Sequence, residues 1–277
     1  MPELPEVESL RRILARSATG RTIVDARIGK LPLRRHRVAN FAPMIAGRRI
    51  ERIGRRAKYL TIELDGGFVL VAHLGMSGSL THRKPDGDFA GFDPRHDHVE
   101  FMLEDGSRLV FNDPRRFGII RLVASADLAS MPELKGLGPE PLSRDFNADY
   151  LANRARGRKV AIKNLLMDQR IVAGIGNIYA SEILYRAGVR PMRAAGRLKR
   201  GEIDKIVEFV PQILNAAIGS RGTTFRSYRD SRGRPGRFAA RLMVYGRDGK
   251  ACYKCATPIR NVILGQRASF YCPKCQH

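Results

Sequence analysis

The chain has 277 residues, 50 Lys and Arg against 27 Asp and Glu, and a formal net charge of +23. A hydrophobic fraction of 43% excludes wholesale disorder. The length suggests two domains, and no apolar run approaches the ~18 residues of a membrane span. The acidic start Met1-Pro2-Glu3-Leu4-Pro5-Glu6 lacks the apolar core of a secretory signal, so the expectation is a cytoplasmic protein with no membrane partner. The excess charge points to a polyanionic partner. It is uneven: residues 1–138 are net +6 and residues 139–277 net +17.

Pro5, Glu6 and Glu8 read as a helix start, with Val7, Leu10, Ile13 and Leu14 on one face. After Gly20 the pattern becomes strand-like over Thr22–Ile28, Ile50–Ile53, Lys58–Leu64, Phe68–Ala72, Val99–Leu103, Arg108–Phe111 and Ile119–Val123. Asp65-Gly66-Gly67 and Asp105-Gly106-Ser107 supply hairpin turns. Many short strands with close turn signals predict a sandwich or barrel. The polar stretch Arg83–Arg95 reads as a loop. Leu137-Gly138-Pro139-Glu140-Pro141 reads as a linker. Beyond it the period is helical, near Ala148–Ala155, Val160–Met167, Ile178–Ala187 and Gly201–Ala217, where Pro211 should bend the last helix. Gly219–Arg237 is rich in Gly, Arg and Ser and reads as loop.

All four cysteines lie near the C-terminus, as Cys252-x-x-Cys255 and Cys272-x-x-Cys275. That spacing is that of a structural four-thiolate zinc site, one ion per chain. Disulfides are disfavoured without a secretion signal. Arg260, Gln266 and Arg267, between the two pairs, should lie on a β-hairpin, where an Arg can enter a DNA groove or be simply solvated. Gly174-Ile175-Gly176-Asn177 lacks the third glycine of a dinucleotide fingerprint. A turn placing Asn177 at a helix N-terminus fits better, either as a plain cap or as a phosphate site. Gly75-Met76-Ser77-Gly78-Ser79 misses the serine-hydrolase elbow by one place. His96-x-His98 is half a metal site at most; hydrogen bonding or phosphate contact suits it better.

Removal of Met1 would leave Pro2 with a free secondary amine. A terminal amine titrates near ~8 against ~10.4 for Lys, so part of it is neutral and nucleophilic at pH 7. Such an amine can attack a sugar C1′ and form a Schiff base, with Glu3 beside it as acid and base. Composition alone favours the plainer reading, in which Pro2, Glu3 and Pro5 merely start a helix.

Met1–Glu8, Arg55-Arg56-Ala57-Lys58-Tyr59-Leu60, His73–Gly78, Asp113-Pro114-Arg115-Arg116-Phe117-Gly118, Leu137–Leu142, Gly176–Glu182, Val244-Tyr245-Gly246-Arg247 and the cysteine module closely resemble the bacterial formamidopyrimidine-DNA glycosylases. The resemblance runs in order from Met1 to Gln276. It implies an α+β protein: an N-terminal β-sandwich catalytic domain with a leading helix (1–136), a linker (137–142), a helix-two-turn-helix DNA-binding domain (143–240) and a four-Cys zinc-finger hairpin (241–277). It implies a monomeric base excision repair enzyme acting on double-stranded DNA that contains oxidised purines (8-oxoguanine, formamidopyrimidines) or abasic sites. Such an enzyme is bifunctional, glycosylase and AP lyase, and cleaves by β,δ-elimination.

By the same resemblance, Pro2 is the Schiff-base nucleophile, Glu3 the proton donor and acceptor, Lys58 the proton donor for β-elimination and Arg267 that for δ-elimination. His73, His96, Arg115 and Arg158 match DNA-contacting positions; Asn177, with Lys58 and Arg267, matches phosphate-gripping ones. Met76, Arg115 and Phe117 match residues that fill the hole left by an everted base. Gly222, Thr223, Thr224, Phe225 and Tyr228 belong to the loop that closes over that base. A glycosylase must evert its target, at a cost of a few kcal/mol, and apolar wedges in the stack offset it.

The chain departs from the family pattern in two places. Arg221 precedes Gly222-Thr223-Thr224 where the family commonly begins Gly-Gly-Thr-Thr, in the loop that bears on base preference. Ala256 follows the second Cys where the family usually has Gly, which implies strain at a φ > 0 position. The alternatives are the oxidised-pyrimidine sister family, against which Leu4 counts because that family usually has Gly there, and a non-catalytic damaged-DNA-binding protein.

Overall fold

The computed structural model describes residues 1–29, 31–33, 41–85, 92–224, 230 and 233–277. The chain forms two compact units, Met1–Lys135 with Ala217–Ala239, and Gly136–Ala216 with Ala240–His277.

The first unit opens with helix α1 (Leu4–Ala18). Glu3 is its N-cap: its side chain accepts the Glu6 N–H, and Glu6 Oε2 accepts the Glu3 N–H at 2.8 Å. This reciprocal capping box satisfies two otherwise orphaned donors, and Pro5 sits in the first turn where a missing N–H costs nothing. Val7, Leu10, Leu14 and Ala18 are buried; Ile13 is only half-buried. There follow β1 (Thr22–Ile28), α2 (Ala42–Ile45), β2 (Arg48–Arg56), β3 (Tyr59–Leu64), β4 (Phe68–His73), β5 (Ser79–Arg83), β6 (Asp97–Leu103), β7 (Arg108–Asn112) and β8 (Ile119–Ala124). The strand β5 and the short α2 were not legible as elements; both are brief and carry no strong pattern.

All neighbouring strands are antiparallel, in the order β5-β7-β6-β1-β2-β3-β4-β8. The β1–β2 ladder is only two pairs long, Thr22 with Arg49 and Ile23 with Arg48. It therefore joins two four-stranded halves. One core draws on both, with Ile23, Phe101 and Phe111 from one half and Ile50, Leu60, Ile62 and Leu70 from the other; Val7, Leu10 and Leu14 of α1 complete it. The alternate side chains of β4, Val69 and Val71, pack with Met131 on the opposite face. Burial on both faces explains why Val69-Leu70-Val71-Ala72 reads as a continuous apolar run.

The second unit holds α3 (Ala148–Ala155), α4 (Ile162–Met167), α5 (Asn177–Ala187) and most of α6 (Arg200–Gly219), whose last residues belong to the first unit. Asn147 caps α3 by accepting the Tyr150 N–H at 2.9 Å. Helix α6 is continuous through Pro211. Leu151, Ile162, Leu165, Leu166, Tyr179 and Ile183 are fully or almost fully buried. The Leu137–Pro141 stretch is packed: Gly138 donates to Gln169 O, the Ala173 N–H donates to Pro139 O, and a Cβ on Gly138 would strike Ile171 O at 2.6 Å. The unit ends in the hairpin β9 (Arg260–Leu264) and β10 (Arg267–Tyr271). Its two-residue turn, Gly265 at φ +54° and Gln266 at φ +60°, has the two positive φ values of a type I′ turn. Among the described residues, no helix is long and apolar enough to cross a membrane.

Candidate active site and nucleic-acid interface

The predicted catalytic N-terminus lies at the foot of α1. Pro2 and Glu3 are buried behind an exposed Met1. Glu6, 1% exposed, is the residue that organises them. One of its oxygens accepts the Glu3 N–H and the other accepts the Thr223 N–H at 2.7 Å. Thr223 lies 217 residues away along the chain, in the predicted lesion loop. Gly222 approaches so closely that a Cβ would sit 2.7 Å from Glu6 Oε1, and its φ is +76°. A side chain there would be strained and would push the Glu6 carboxyl aside. The loop is anchored further by the bridge between Thr223 and Arg237 and by Gly236 N–H on Thr224 Oγ1 at 2.8 Å. Phe225, Ser227 and Tyr228 lie outside the described residues.

Arg221 ends α6 in a Schellman arrangement. Its N–H donates to Ile218 O at 3.0 Å and that of Gly222 to Ala217 O at 2.8 Å. The position is left-handed, with φ +61° on an arginine. Its guanidinium approaches the fully buried Asp230, at 3.9 Å, which Arg234 also pairs at 3.0 Å.

Lys58 is 5% exposed and occupies the two-residue turn Ala57-Lys58 between β2 and β3. Arg55 ties this turn to α1, donating to Ala57 O at 2.8 Å and to Glu8 Oε2 at 3.2 Å. Glu8 also receives Arg11 and Arg12. Burial pushes the Glu8 carboxyl up, but these hydrogen bonds together outweigh it and hold the group at about 2.

Met76 and Arg115–Phe117 lie on two abutting loops. A Cβ on Gly75 would strike the Phe117 carbonyl carbon at 2.5 Å. The fully buried Asp113 fastens both loops. Its Oδ1 accepts Ser77 Oγ–H at 2.6 Å and the Arg115 N–H at 3.3 Å; its Oδ2 accepts the Gly118 N–H at 2.8 Å. Its own N–H donates to His96 O at 2.9 Å. Met76 and Phe117 are half-buried and Arg115 is exposed, its guanidinium 5.2 Å from the Phe117 ring centroid. His73 accepts the Gly75 N–H on Nδ1 at 3.0 Å and lies against Tyr59, so its ring shapes the Met76 turn. His98 is buried against Asp113 O, which accounts for it without a metal.

In the second unit, Asn177 is the first residue of α5 and Gly176 is the cap. Asn177 therefore does not cap its own helix. Its Oδ1 accepts from Lys163 Nζ, and its Nδ2 donates to Ala268 O at 3.1 Å and Tyr245 OH at 3.3 Å. Arg267, the neighbour of Ala268, is exposed at the start of β10. Glu182, on the same helix, accepts the N–H groups of Met243, Val244 and Tyr245 at 2.8–3.0 Å, and burial pushes its carboxyl up. Arg158 is exposed and lines a recess of about 270 Å³ with Arg154, Asp168, Arg170 and Ile171. Hydrogen bonds from Arg170 hold Asp168 below the usual carboxylate range.

The four cysteine sulfurs lie within 4.8 Å of one another and form a group able to hold a metal ion. Cys252 and Cys275 are 3.9 Å apart and Cys255 and Cys272 3.5 Å. A tetrahedron with metal–sulfur bonds of ~2.3 Å has edges of ~3.8 Å. Hydrogen bonds from Thr257 hold Cys255 at about 6, whereas burial and the other sulfurs push Cys275 up to about 12. Four sulfurs so close together all ionise only around a cation. Ala256 stands at φ +60°, the strained position its sequence context implies.

Sequence reasoning missed Glu6, Glu8, Asp113, Lys163 and Glu182. Only Glu6 carried a usable signal, a Glu three residues into a helix behind Glu3. Each of the others also serves a distant partner that the sequence does not bring near: Arg55 for Glu8, Ser77 for Asp113, Ser269 for Lys163 and the 243–245 backbone for Glu182.

The match of residues 137–229 to an H2TH-domain profile places the chain among the DNA-handling proteins of the helix-two-turn-helix class. Residues 1–120 match the profile described as the formamidopyrimidine-DNA glycosylase N-terminal domain, and residues 137–229 match that of the H2TH domain of the same glycosylases. The formamidopyrimidine-DNA glycosylases of Thioalkalivibrio sulfidiphilus and Methylococcus capsulatus are each 46% identical, covering 100% of both chains. The MutM (Fpg) protein of Thermus thermophilus superposes with a TM-score of 0.87 at 38% identity, covering 99% of this chain and 98% of that one. Lactococcus lactis Fpg bound to abasic-site DNA gives 0.90 at 30% identity, covering 99% of each. The chain belongs to the formamidopyrimidine-DNA glycosylase family, whose members are base excision repair enzymes.

Proposed function

We propose that this protein is a bifunctional DNA glycosylase and AP lyase that removes 8-oxoguanine and formamidopyrimidines from double-stranded DNA. The observation that carries the reading is the Glu6 carboxylate, which joins the Pro2-Glu3 start of α1 to Thr223 of the loop. It gives one unit both a nucleophile position and a surface for the everted base. A Lactococcus lactis relative crystallised with Fapy-dG-containing DNA supports the choice of lesion.

With Met1 removed, the Pro2 nitrogen attacks C1′ as the glycosidic bond breaks. The base leaves with the bonding pair and takes up a proton, and Glu3 serves the sugar side. Proton loss from the Pro2 nitrogen and cleavage of the C1′–O4′ bond, with Glu3 protonating O4′, then open the sugar to an iminium, which acidifies the C2′ proton. Its loss expels the 3′ phosphate, and a second elimination expels the 5′ phosphate. Lys58 and Arg267 supply protons to these two steps. Met76, Arg115 and Phe117 occupy the vacated stack; His73, His96, Arg158 and Asn177 hold backbone. Cys252, Cys255, Cys272 and Cys275 would hold one structural zinc, which would brace the hairpin and supply no chemistry to the reaction.

Borohydride reduction during turnover tests the scheme. A covalent adduct with 8-oxoguanine duplex is expected, and none when Met1 is retained. An undiminished adduct with Met1 in place removes Pro2 from the nucleophile's role.

A further inference from the structure

We propose that Lys163 is a positioning residue for phosphate binding, orienting the Asn177 amide and tying it to the strand that carries Arg267. The inference rests on the reading above of Asn177 and Arg267 as phosphate contacts.

Lysine is almost never fully buried, yet Lys163 on α4 is 0% exposed. Its ammonium has three N–H donors, and three neutral oxygens meet them: Asn177 Oδ1, Ser269 Oγ at 2.6 Å and Ala268 O at 3.2 Å. An ammonium only donates. It therefore forces the acceptor end of the Asn177 amide inward and leaves the –NH₂ as the end available to an acceptor. A phosphate accepts hydrogen bonds, so this is the orientation that phosphate recognition requires. The reversed amide would present an oxygen to an anion. One of the two Nδ2 bonds, to Tyr245 OH at 3.3 Å, is the longer and is the one a phosphate oxygen can replace.

The same ammonium holds the backbone just after Arg267. Ala268 O and Ser269 Oγ are both on β10, and Asn177 Nδ2 also donates to Ala268 O. Lys163 thus makes Asn177 and the root of Arg267 parts of one hydrogen-bonded cluster.

The test uses the full-length metal-loaded protein and a duplex bearing a tetrahydrofuran abasic analogue, titrated over a range of salt. Cleavage of an 8-oxoguanine duplex by the unmodified protein is the control. Lys163→Met is expected to weaken binding about tenfold or more, the scale of a lost charge-assisted hydrogen bond. The slope of log K against log salt should flatten by roughly 1, one phosphate's worth. Asn177→Ala, which costs affinity in the parent, should cost less than about twofold in the Lys163→Met background. Additive losses, or binding unchanged by Lys163→Met, overturn the proposal. Should Lys163→Met lose its metal or its cooperative melt, Ser269→Ala decides: a loss of a few-fold that vanishes in the Asn177→Ala background is expected, and additivity overturns the idea. A parent that neither binds nor cleaves lesion DNA overturns the functional reading together with this one. A parent that cleaves while the coupling is absent overturns this one alone.

Discussion

Glu6 Oε1 accepts the backbone N–H of Thr223 at 2.7 Å, while the other oxygen of the same carboxylate caps Glu3. The helix start and the Gly222–Thr224 segment therefore share one buried carboxyl group. Glu6→Gln replaces one acceptor with a donor and sets it against a backbone N–H. The expected result is a fall of about 10- to 100-fold in excision of 8-oxoguanine, the scale of one unsatisfied buried group. Cleavage at a preformed abasic site, which needs no base-closing loop, should fall much less. Equal losses in both assays would show that the carboxylate does not serve the loop.

Asp113 does the equivalent for the two loops that carry Met76, Arg115 and Phe117. Asp113→Ala leaves Ser77, Arg115 and Gly118 donors without their acceptor. A destabilisation of about 2–3 kcal/mol is expected from chemical denaturation. In the milder Asp113→Asn, the fluorescence change of 2-aminopurine opposite the lesion should shrink, and adding Met76→Ala should change it little further. If the two substitutions act independently, the loops are not inserted as a unit.

Glu8 makes a prediction about acid. Its folded-state value of about 2 lies below the ordinary 4.5, so its charged form is stabilised by folding. That stability is present in full above pH ~4.5 and is lost as pH falls toward 2. Urea midpoints measured across this window should decline in the parent. Glu8→Gln should start lower at pH 7 and decline less steeply. A parallel decline in both proteins assigns the acid sensitivity to other groups.

The cysteine module makes a prediction about metal. Chelation should lose the β9–β10 order and weaken lesion-DNA binding, since the metal's binding energy is folding energy. Ala256→Gly relieves a left-handed alanine, for a net gain of about 0.5–1 kcal/mol after the entropy cost of glycine. The variant should need more chelator to release its metal. An unchanged chelator midpoint would mean that the knuckle accommodates the strain at no cost.

How much was legible depends on how local each cause is. Helix α3, the strand Thr22–Ile28, both Asp-Gly turns and the cysteine hairpin are legible with little or no error, because capping, period and turn chemistry act within a few residues. Strand β5 escaped because Ser79–Arg83 is polar everywhere but Leu80 and owes its burial to pairing with β7 and packing against α1. Asn177 falls at the expected helix end, yet its side chain serves Lys163 and Ala268 instead of its own helix.

The linear chain by itself determined most of the elements, the family, the sulfur cluster and the strain at Ala256, since each depends on neighbours or on fixed spacing. Only the tertiary structure decided where Glu6, Asp113 and Lys163 direct their hydrogen bonds. A buried polar group must find partners wherever the fold brings them, and here those partners lie as much as 217 residues away.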